Sequence, residues 1–413
     1  MYSLLRDGLP AAARAISPAQ IVRSRAVPRN VVMLGLTSLF TDISSEMVSA
    51  ILPLYLILAL GASPLVFGIV DGIYNGASAL VRVGAGLVAD GWGRHKQVAV
   101  AGYGISALSR LGLLVAGAGW LPFLGLIIVD RTGKGIRTAP RDALISLSTR
   151  PEHLGVAFGV HRALDTAGAL IGPLVAFAIL IALPRGFDLI FLASFCAAVI
   201  GLAILVLFVD GRTALVPRAR LRLRDIGRTA RAPWMLPLLG AAALLSVVTV
   251  SDAFIYLLLQ RRAALAVGFF PLLFVATSIV YMLLAVPAGR VADRRGRRPM
   301  VLAGYALLVP LYASLLLADA GPLTIVAAVV LLGAHYAATD GVLMAIASAR
   351  IPPELRGTGL AAVTTVTSLG RLVASVLFGV AWSLWGPEAA IAAFAAAMCV
   401  AIAGASRALA AVR

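Results

Sequence analysis

Sixteen ionisable side chains stand in stretches of this chain that are otherwise apolar enough to cross a membrane, and their spacing suggests chemistry. Asp42 and Glu46 are one helical turn apart and share a face. Asp130, Lys134, Arg137 and Arg141 recur at i, i+4, i+7 and i+11, a single stripe, with Arg131 beside it. Asp71, Asn75 and Arg82 fall on a common face of a second segment. His161, Arg162 and Asp165 bring two basic groups within reach of one carboxylate. Arg110, Asp142, Arg371, Asp252 beside Ser251, and Asp340 near His335 and Tyr336 complete the set. A charge at mid-bilayer costs roughly 2.5–3.5 kcal/mol on the insertion scale, so exposing even half of them to lipid would cost over ~20 kcal/mol. They must pair with one another or face a watery cavity.

A buried carboxylate beside an arginine is pulled both ways, burial favouring the proton and the cation expelling it. That competition can exchange a proton for a solute. Asp42, Glu46, Asp71, Asn75, Asp130, Arg131, Lys134, Arg137, His161, Arg162, Asp165, Asp252, His335 and Asp340 are therefore the expected proton-coupling and cavity residues. Structural salt bridges and helix-packing hydrogen bonds are the competing explanation, strongest near span ends at Arg141 and Asp142. Thirteen of the sixteen charges lie in the first half, so the chemistry is expected mainly there.

The elements that must position these groups are helices. The 413 residues are 61% hydrophobic and 13% charged, against about 45–50% and 25% in soluble domains. Apolar runs of spanning length are expected at 31–60, 64–90, 97–118, 121–149, 153–183, 187–210, 234–260, 268–292, 299–318, 321–350, 356–385 and 386–409. Of the 35 Lys and Arg residues, eight stand well inside spans and only Arg185, Arg261 and Arg262 on one side; the remainder sit at span ends or beyond them on the side of both termini, which positive-inside reasoning makes cytoplasmic. The chain also repeats itself. Gly86, Asp90, Gly93 and Arg94 after the second span match Gly289, Asp293, Gly296 and Arg297 after the eighth at an offset of 203, and Pro151-Glu152 matches Pro353-Glu354 at 202. This implies an all-α integral membrane protein of twelve helices in two pseudo-symmetric six-helix bundles: a tail at 1–30, bundles at 31–210 and 234–413, and a basic linker at 211–233, with the solute site near the midplane between them.

The pattern G-x-x-x-D-x-x-G-R after spans two and eight resembles the signature loop of the major facilitator superfamily. The resemblance implies a secondary transporter working by alternating access, its cytoplasmic gate formed by Gly86, Asp90, Arg94, Asp142, Gly289, Asp293 and Arg297, with Asp90 facing the start of span eleven. Arg131, followed by Gly135, resembles the family's span-four pattern, whose arginine is associated with proton coupling. Gly168, Gly172 and Pro173 resemble the span-five exporter motif, which bends a helix against its neighbours, although the glycines expected after the proline are replaced by Leu174, Val175 and Ala176. The run from Asp130 to Asp142, with Asp42 and Glu46, is similar to a branch that includes bacterial nickel-resistance exporters. By resemblance a monomer is expected, in the bacterial inner membrane.

Other classes fare worse. His95, His153, His161 and His335 form no close cluster, so no metal site or other cofactor is indicated. Cys196 and Cys399 have no partner spacing and read as ordinary core residues. The first thirty residues lack a separate short apolar segment, so no cleaved signal peptide is expected. The net charge of +17 belongs to loops flanking spans, where topology and anionic lipid explain it, and no basic soluble domain exists to bind nucleic acid. Gly133-Lys134-Gly135 lacks the spacing and the Ser or Thr of a phosphate-binding loop, and a duplicated gate has no use in a membrane enzyme. The expected partners are the lipid bilayer, protons and a small-molecule or ion substrate. Export of a drug, metal or other small solute leads; proton-coupled uptake of an organic anion on Lys134, Arg137 and Arg162 is the alternative, and a sensor or enzyme the remaining one.

Overall fold

The computed structural model describes residues 27–92, 94–117, 119–150, 153–211, 235–316, 321–349, 351 and 356–411; at 83–92, 356–358 and 411 it describes the backbone alone. The described chain forms α1 (Arg29–Leu54, extended by a π turn Tyr55–Ala59), α2 (Pro64–Trp92), α3 (His95–Val115), α4 (Trp120–Leu147), α5 (Leu154–Ala182) and α6 (Phe187–Phe208). The second half follows as α7 (Leu236–Val247), α8 (Asp252–Arg262), α9 (Phe270–Arg295), α10 (Arg297–Ala306), α11 (Leu308–Ser314), α12 (Pro322–Ser348), α13 (Arg356–Trp385) and α14 (Pro387–Ala411). Taking α7 with α8 and α10 with α11, these are twelve spans.

Ten of the twelve are long and apolar enough to cross a membrane on those grounds alone. The other two have visible causes. α4 carries Asp130, Arg131, Lys134, Arg137, Arg141 and Asp142 within one span. The ninth span breaks at Leu307, where Pro310 lacks the N–H that would bond Ala306 and its ring crowds that carbonyl. The seventh also breaks, between Val247 and Asp252, although a single helix over 234–260 is expected from hydropathy. The signature loop ends α9 at Gly296, whose φ of 106° is a conformation L side chains resist, which accounts for a glycine at that place in the repeat.

In the first bundle α1 packs on α5 and α6, and α4 lies between α2 and α3; in the second α12 packs on α9 and α10, and α13 and α14 on α7. The closest approach between bundles is the seam of α2 against α13. Gly68, Gly72 and Gly76 face Leu372, Ser375 and Gly379 so tightly that a Cβ at Gly72 would stand 2.8 Å from the Leu372 carbonyl oxygen. Small residues admit this backbone-to-backbone contact, which hydrocarbon solvent alone does not drive. Phe254 joins the seam, 4.6 Å from Phe67 and 4.7 Å from Phe378 between ring centres. A second contact joins Phe177 of α5 to Phe269, 5.8 Å apart, with Gly268 under Ile181.

All these contacts lie in the half of the molecule away from the chain termini. Toward the terminal end α9 is bare, nearly every residue of 278–287 being exposed, and the Arg162 side chain is 72% exposed on α5. Among the described residues, then, the bundles touch at the far end and part at the terminal end.

Candidate functional site

Between the bundles, just inside the far-end seam, lies a cavity of about 230 Å³. Span one contributes Glu46, Ser49, Leu52 and Pro53, and span two Asp71, Tyr74 and Asn75. The second half supplies residues 249–253, Phe274, Tyr336, Arg371 and Ser375. The break in span seven forms one wall. Ser251 caps α8 by accepting from the Ala253 N–H at 3.3 Å, and the Val250 N–H donates to the Tyr312 hydroxyl at 2.9 Å. Non-helical backbone at membrane depth is tolerated where it lines a cavity and its groups are satisfied.

The cavity carboxylates differ in their surroundings. Asp71 accepts from the Ser375 hydroxyl across the seam at 2.7 Å and from Asn75 at 3.1 Å. Asp252 accepts from the Tyr336 hydroxyl at 2.6 Å. Arg371 is drawn to Asp340, 3.5 Å away, and its guanidinium lies 5.6 Å from the Tyr336 ring centre. Among the described residues Glu46 accepts no hydrogen bond and joins no ion pair within 4 Å, although Arg131 and Lys134 are close enough to feel its charge.

A second polar group sits inside the first bundle. Asp130 is clasped by Arg110 at 2.9 Å and by Arg131, whose Nε donates at 2.8 Å; all three are almost fully buried. The Arg131 guanidinium lies 3.7 Å above the Tyr74 ring, so Tyr74 stands between it and the cavity. Arg137 stacks at 4.7 Å on Tyr103 and makes no ion pair among the described residues. Toward the terminal end the carboxyl groups of Asp42 and Asp165 lie within hydrogen-bond reach of each other. Lys134 sits within the field of both Asp42 and Glu46. Arg141 binds Asp142 at 2.9 Å and approaches Asp165 at 3.8 Å, Arg162 binds Asp165 at 3.2 Å, and His161 Nε2 shares a 2.9 Å hydrogen bond with Ser38.

The glycines of span five set this spacing. A Cβ at Gly172 would stand 2.7 Å from the Ile43 carbonyl oxygen, and one at Gly168 would collide with that of Leu39. α5 thus lies directly on α1, bringing Asp165 to Asp42, and it runs unbroken through Pro173.

Sequence reasoning and structure part at several places. Asp130, Arg131 and Arg137 belong to the interior of the first bundle, not to the central cavity. His335 donates to or accepts from no cavity group; its Nδ1 meets the Gly304 carbonyl oxygen at 2.9 Å and its ring packs on Tyr305, so it fastens span ten to span nine. Asp293 and Arg297 bond each other at 2.8 Å, and Arg297 reaches the Ala345 carbonyl oxygen at 3.3 Å, a tie within the second bundle where a latch between halves is expected. Gly289 borders open space. Arg94 is exposed, while Gly86 and Asp90, with the contact expected between Asp90 and span eleven, lie outside the described side chains. Cys196 and Cys399 are exposed on the outer surface of their helices instead of buried in a core. Arg371, Ser375, Ser49, Thr249 and Phe274 line the cavity without having been singled out for it. Ser375 stands four residues from Arg371, one turn on the same face, and that was the available signal.

The arrangement holds charge-bearing side chains around a closed-ended chamber between two separable bundles, which suits binding and release of a solute. Comparison with known proteins agrees. The MFS-type transporter MJ1317 of Methanocaldococcus jannaschii, itself uncharacterized, is 32% identical over 375 residues, covering 88% of this chain and 91% of its own. Among solved structures, the nucleoside transporter NupG superposes with a TM-score of 0.75 at 16% identity, over 92% of this chain and 98% of that one. A bacterial homologue of the lysosomal transporter Spinster, inward-facing and unoccupied, gives 0.73 at 15% identity over 93% and 98%. The family model Major Facilitator Superfamily matches residues 34–270 and 254–411. The chain is a membrane transporter that belongs to the major facilitator superfamily.

Proposed function

We propose that this transporter is a proton-coupled exporter of a small solute, resident as a monomer in a bacterial inner membrane with both termini cytoplasmic. Residues 31–210 and 234–413 are its rocking halves and 211–233 the linker between them. The observation that carries this reading is the pair of carboxylate stations on one helix. The carboxyl groups of Asp42 and Asp165 meet inside the first bundle, and one turn further Glu46 opens into the central cavity. Lys134 lies within the field of both Asp42 and Glu46. A proton arriving at one station and a solute at the other therefore compete for the same local charge.

Positive-inside topology puts the parted end of the bundles in the cytoplasm, so this state receives solute from within. The solved relative that is inward-facing and unoccupied has the same fold. Closure at the terminal end and opening of the far seam would then release solute outside and let an external proton reset the carboxylates. Uptake of an anion is less well supported, because Arg137 lies outside the central cavity, Arg162 is on the exposed rim, and the one cation lining the cavity already faces Asp340.

Everted membrane vesicles from an efflux-deficient host, energised to an acidic interior, test the reading. Adding a transported solute should release protons, seen as recovery of a quenched pH dye, and Asp42→Asn should abolish that recovery. Full pH-coupled transport in both Asp42→Asn and Glu46→Gln would refute the assignment.

A further inference from the structure

We propose that the transported solute is a compact organic monocation, a protonated amine whose N–H groups are received by Glu46. This inference rests on the transport reading above. It is carried by which polar groups in the cavity are already committed.

Most donors that line the chamber are spent on its own walls, the Ser49 hydroxyl and the Arg371 guanidinium being the exceptions among the described residues. The Ser375 hydroxyl donates to Asp71, the Tyr336 hydroxyl to Asp252, and the Thr249 hydroxyl to the Leu245 carbonyl oxygen at 2.8 Å. Asn75 gives its amide hydrogens to Asp71, at 2.9 Å to the main chain and 3.1 Å to the side chain. What remains toward the empty space is chiefly acceptor. An anion entering here meets carboxylates and has few donors beyond Arg371; a cation rich in N–H finds unfilled lone pairs, and charge-assisted bonds of that kind are about twice as strong as neutral ones.

The charge and size of the solute follow from the same lining. Asp71 has partners on both oxygens and Asp252 has Tyr336, which leaves Glu46 as the one lining carboxylate without a hydrogen bond or ion pair among the described residues. One free carboxylate neutralises one positive charge. Leu52, Pro53 and Phe274 offer an apolar wall for a short hydrocarbon body. The volume of about 230 Å³ falls below the roughly 300–1,000 Å³ of pockets that enclose drug-sized ligands. A divalent metal would need several converging ligands, and among the described residues no group of three His, Cys, Asp or Glu side chains is placed to hold one.

The test is isothermal titration of the purified full chain in detergent with four probes: butylammonium, butyrate, tetraphenylphosphonium and nickel ion. Butylammonium should bind, at least tenfold more tightly than the other three. Glu46→Gln should weaken that binding at least tenfold, and Glu46→Asp, which keeps the charge on a shorter stem, should restore much of it. Preference for butyrate, the bulky cation or the metal overturns the inference, as does no binding of butylammonium, or equal affinity in Glu46→Gln folded to the wild-type melting temperature. If Glu46→Gln fails to fold, Glu46→Ala takes its place, and an affinity equal to wild type in that variant counts against the anchor. Proteoliposome counterflow separates the two levels of the argument: pH-driven movement of butyrate alone leaves a coupled carrier but overturns its cationic substrate, whereas butylammonium that binds yet never crosses overturns the transport reading.

Discussion

Replacing Gly68 with alanine puts a methyl group where the Ser375 carbonyl oxygen already lies and 3.2 Å from the Cα of Gly379. Both obstacles are backbone, so no side chain can turn aside, and α2 and α13 must move apart. Inserting a methyl into a packed contact costs typically ~1–3 kcal/mol. The cost falls on the state in which the far-end seam is shut and is relieved when it opens. The gain in helix propensity from Gly to Ala, up to about 1 kcal/mol, is common to both states and cancels. At ~1.4 kcal/mol per tenfold, the ratio of shut to open should fall by about 5- to 150-fold. Spin labels at Ser63 and Trp385, which flank the seam on the far side, would read this by pulsed electron resonance in a background of Cys196→Ala and Cys399→Ala. The long-distance population should grow in Gly68→Ala and stay put in Gly125→Ala, where an added Cβ meets nothing within 4 Å. A distance distribution in Gly68→Ala indistinguishable from wild type would refute the claim that this seam is the outer gate.

Ser375→Ala removes the hydroxyl that Asp71 accepts across the same seam; a bond to a charged group contributes ~1.5–3 kcal/mol, so the same labels should report a shift in the same direction. Asp130→Asn leaves Arg110 and Arg131 buried without their shared carboxylate and should cost about 3–5 kcal/mol, read as a large drop in melting temperature in detergent, whereas Asp293→Asn, on an exposed pair, should change it little. Gly172→Ala forces α5 off α1 at the Ile43 carbonyl and should separate Asp165 from Asp42; loss of proton release in everted vesicles with the solute still bound is the expected outcome. Cys196→Ala and Cys399→Ala, on outward surfaces, should each change stability by under about 0.5 kcal/mol in thermal melts.

The spans and the repeat were legible because they rest on local composition and a fixed offset. The charge inventory told equally clearly that Asp130 and its neighbours must pair, since hydrocarbon forbids anything else. What could not be read was partnership across the molecule. Asp71 and Ser375 are 304 residues apart, and their hydrogen bond depends on how two helices from different halves register at Gly72 and Gly76. The weight placed on the first half reflected charge counts, whereas the second half contributes mainly through hydroxyls, Tyr336 and Arg371, which counting carboxylates undervalues. The break in span seven lacks glycine and proline; its signal was Ser251-Asp252, a good helix start in mid-span, masked by the hydropathy of its flanks. Cys196 and Cys399 were misplaced because their helices are apolar all round, leaving no periodicity to tell core from lipid.

The buried clasp of Arg110 and Arg131 on Asp130 also bears on how the protein is made. α4 carries six ionisable residues, several of them at depths where each would cost roughly 2.5–3.5 kcal/mol alone in lipid, and it cannot partition from the translocon by its own hydropathy. α3 is apolar enough to enter first but holds Arg110, which then awaits its counter-ion. Four residues separate the two helices, which pack along their lengths, so inserting them together spares the cost of unpaired charges in lipid. The bond that fixes the mature bundle thereby also favours bringing its least apolar helix into the membrane.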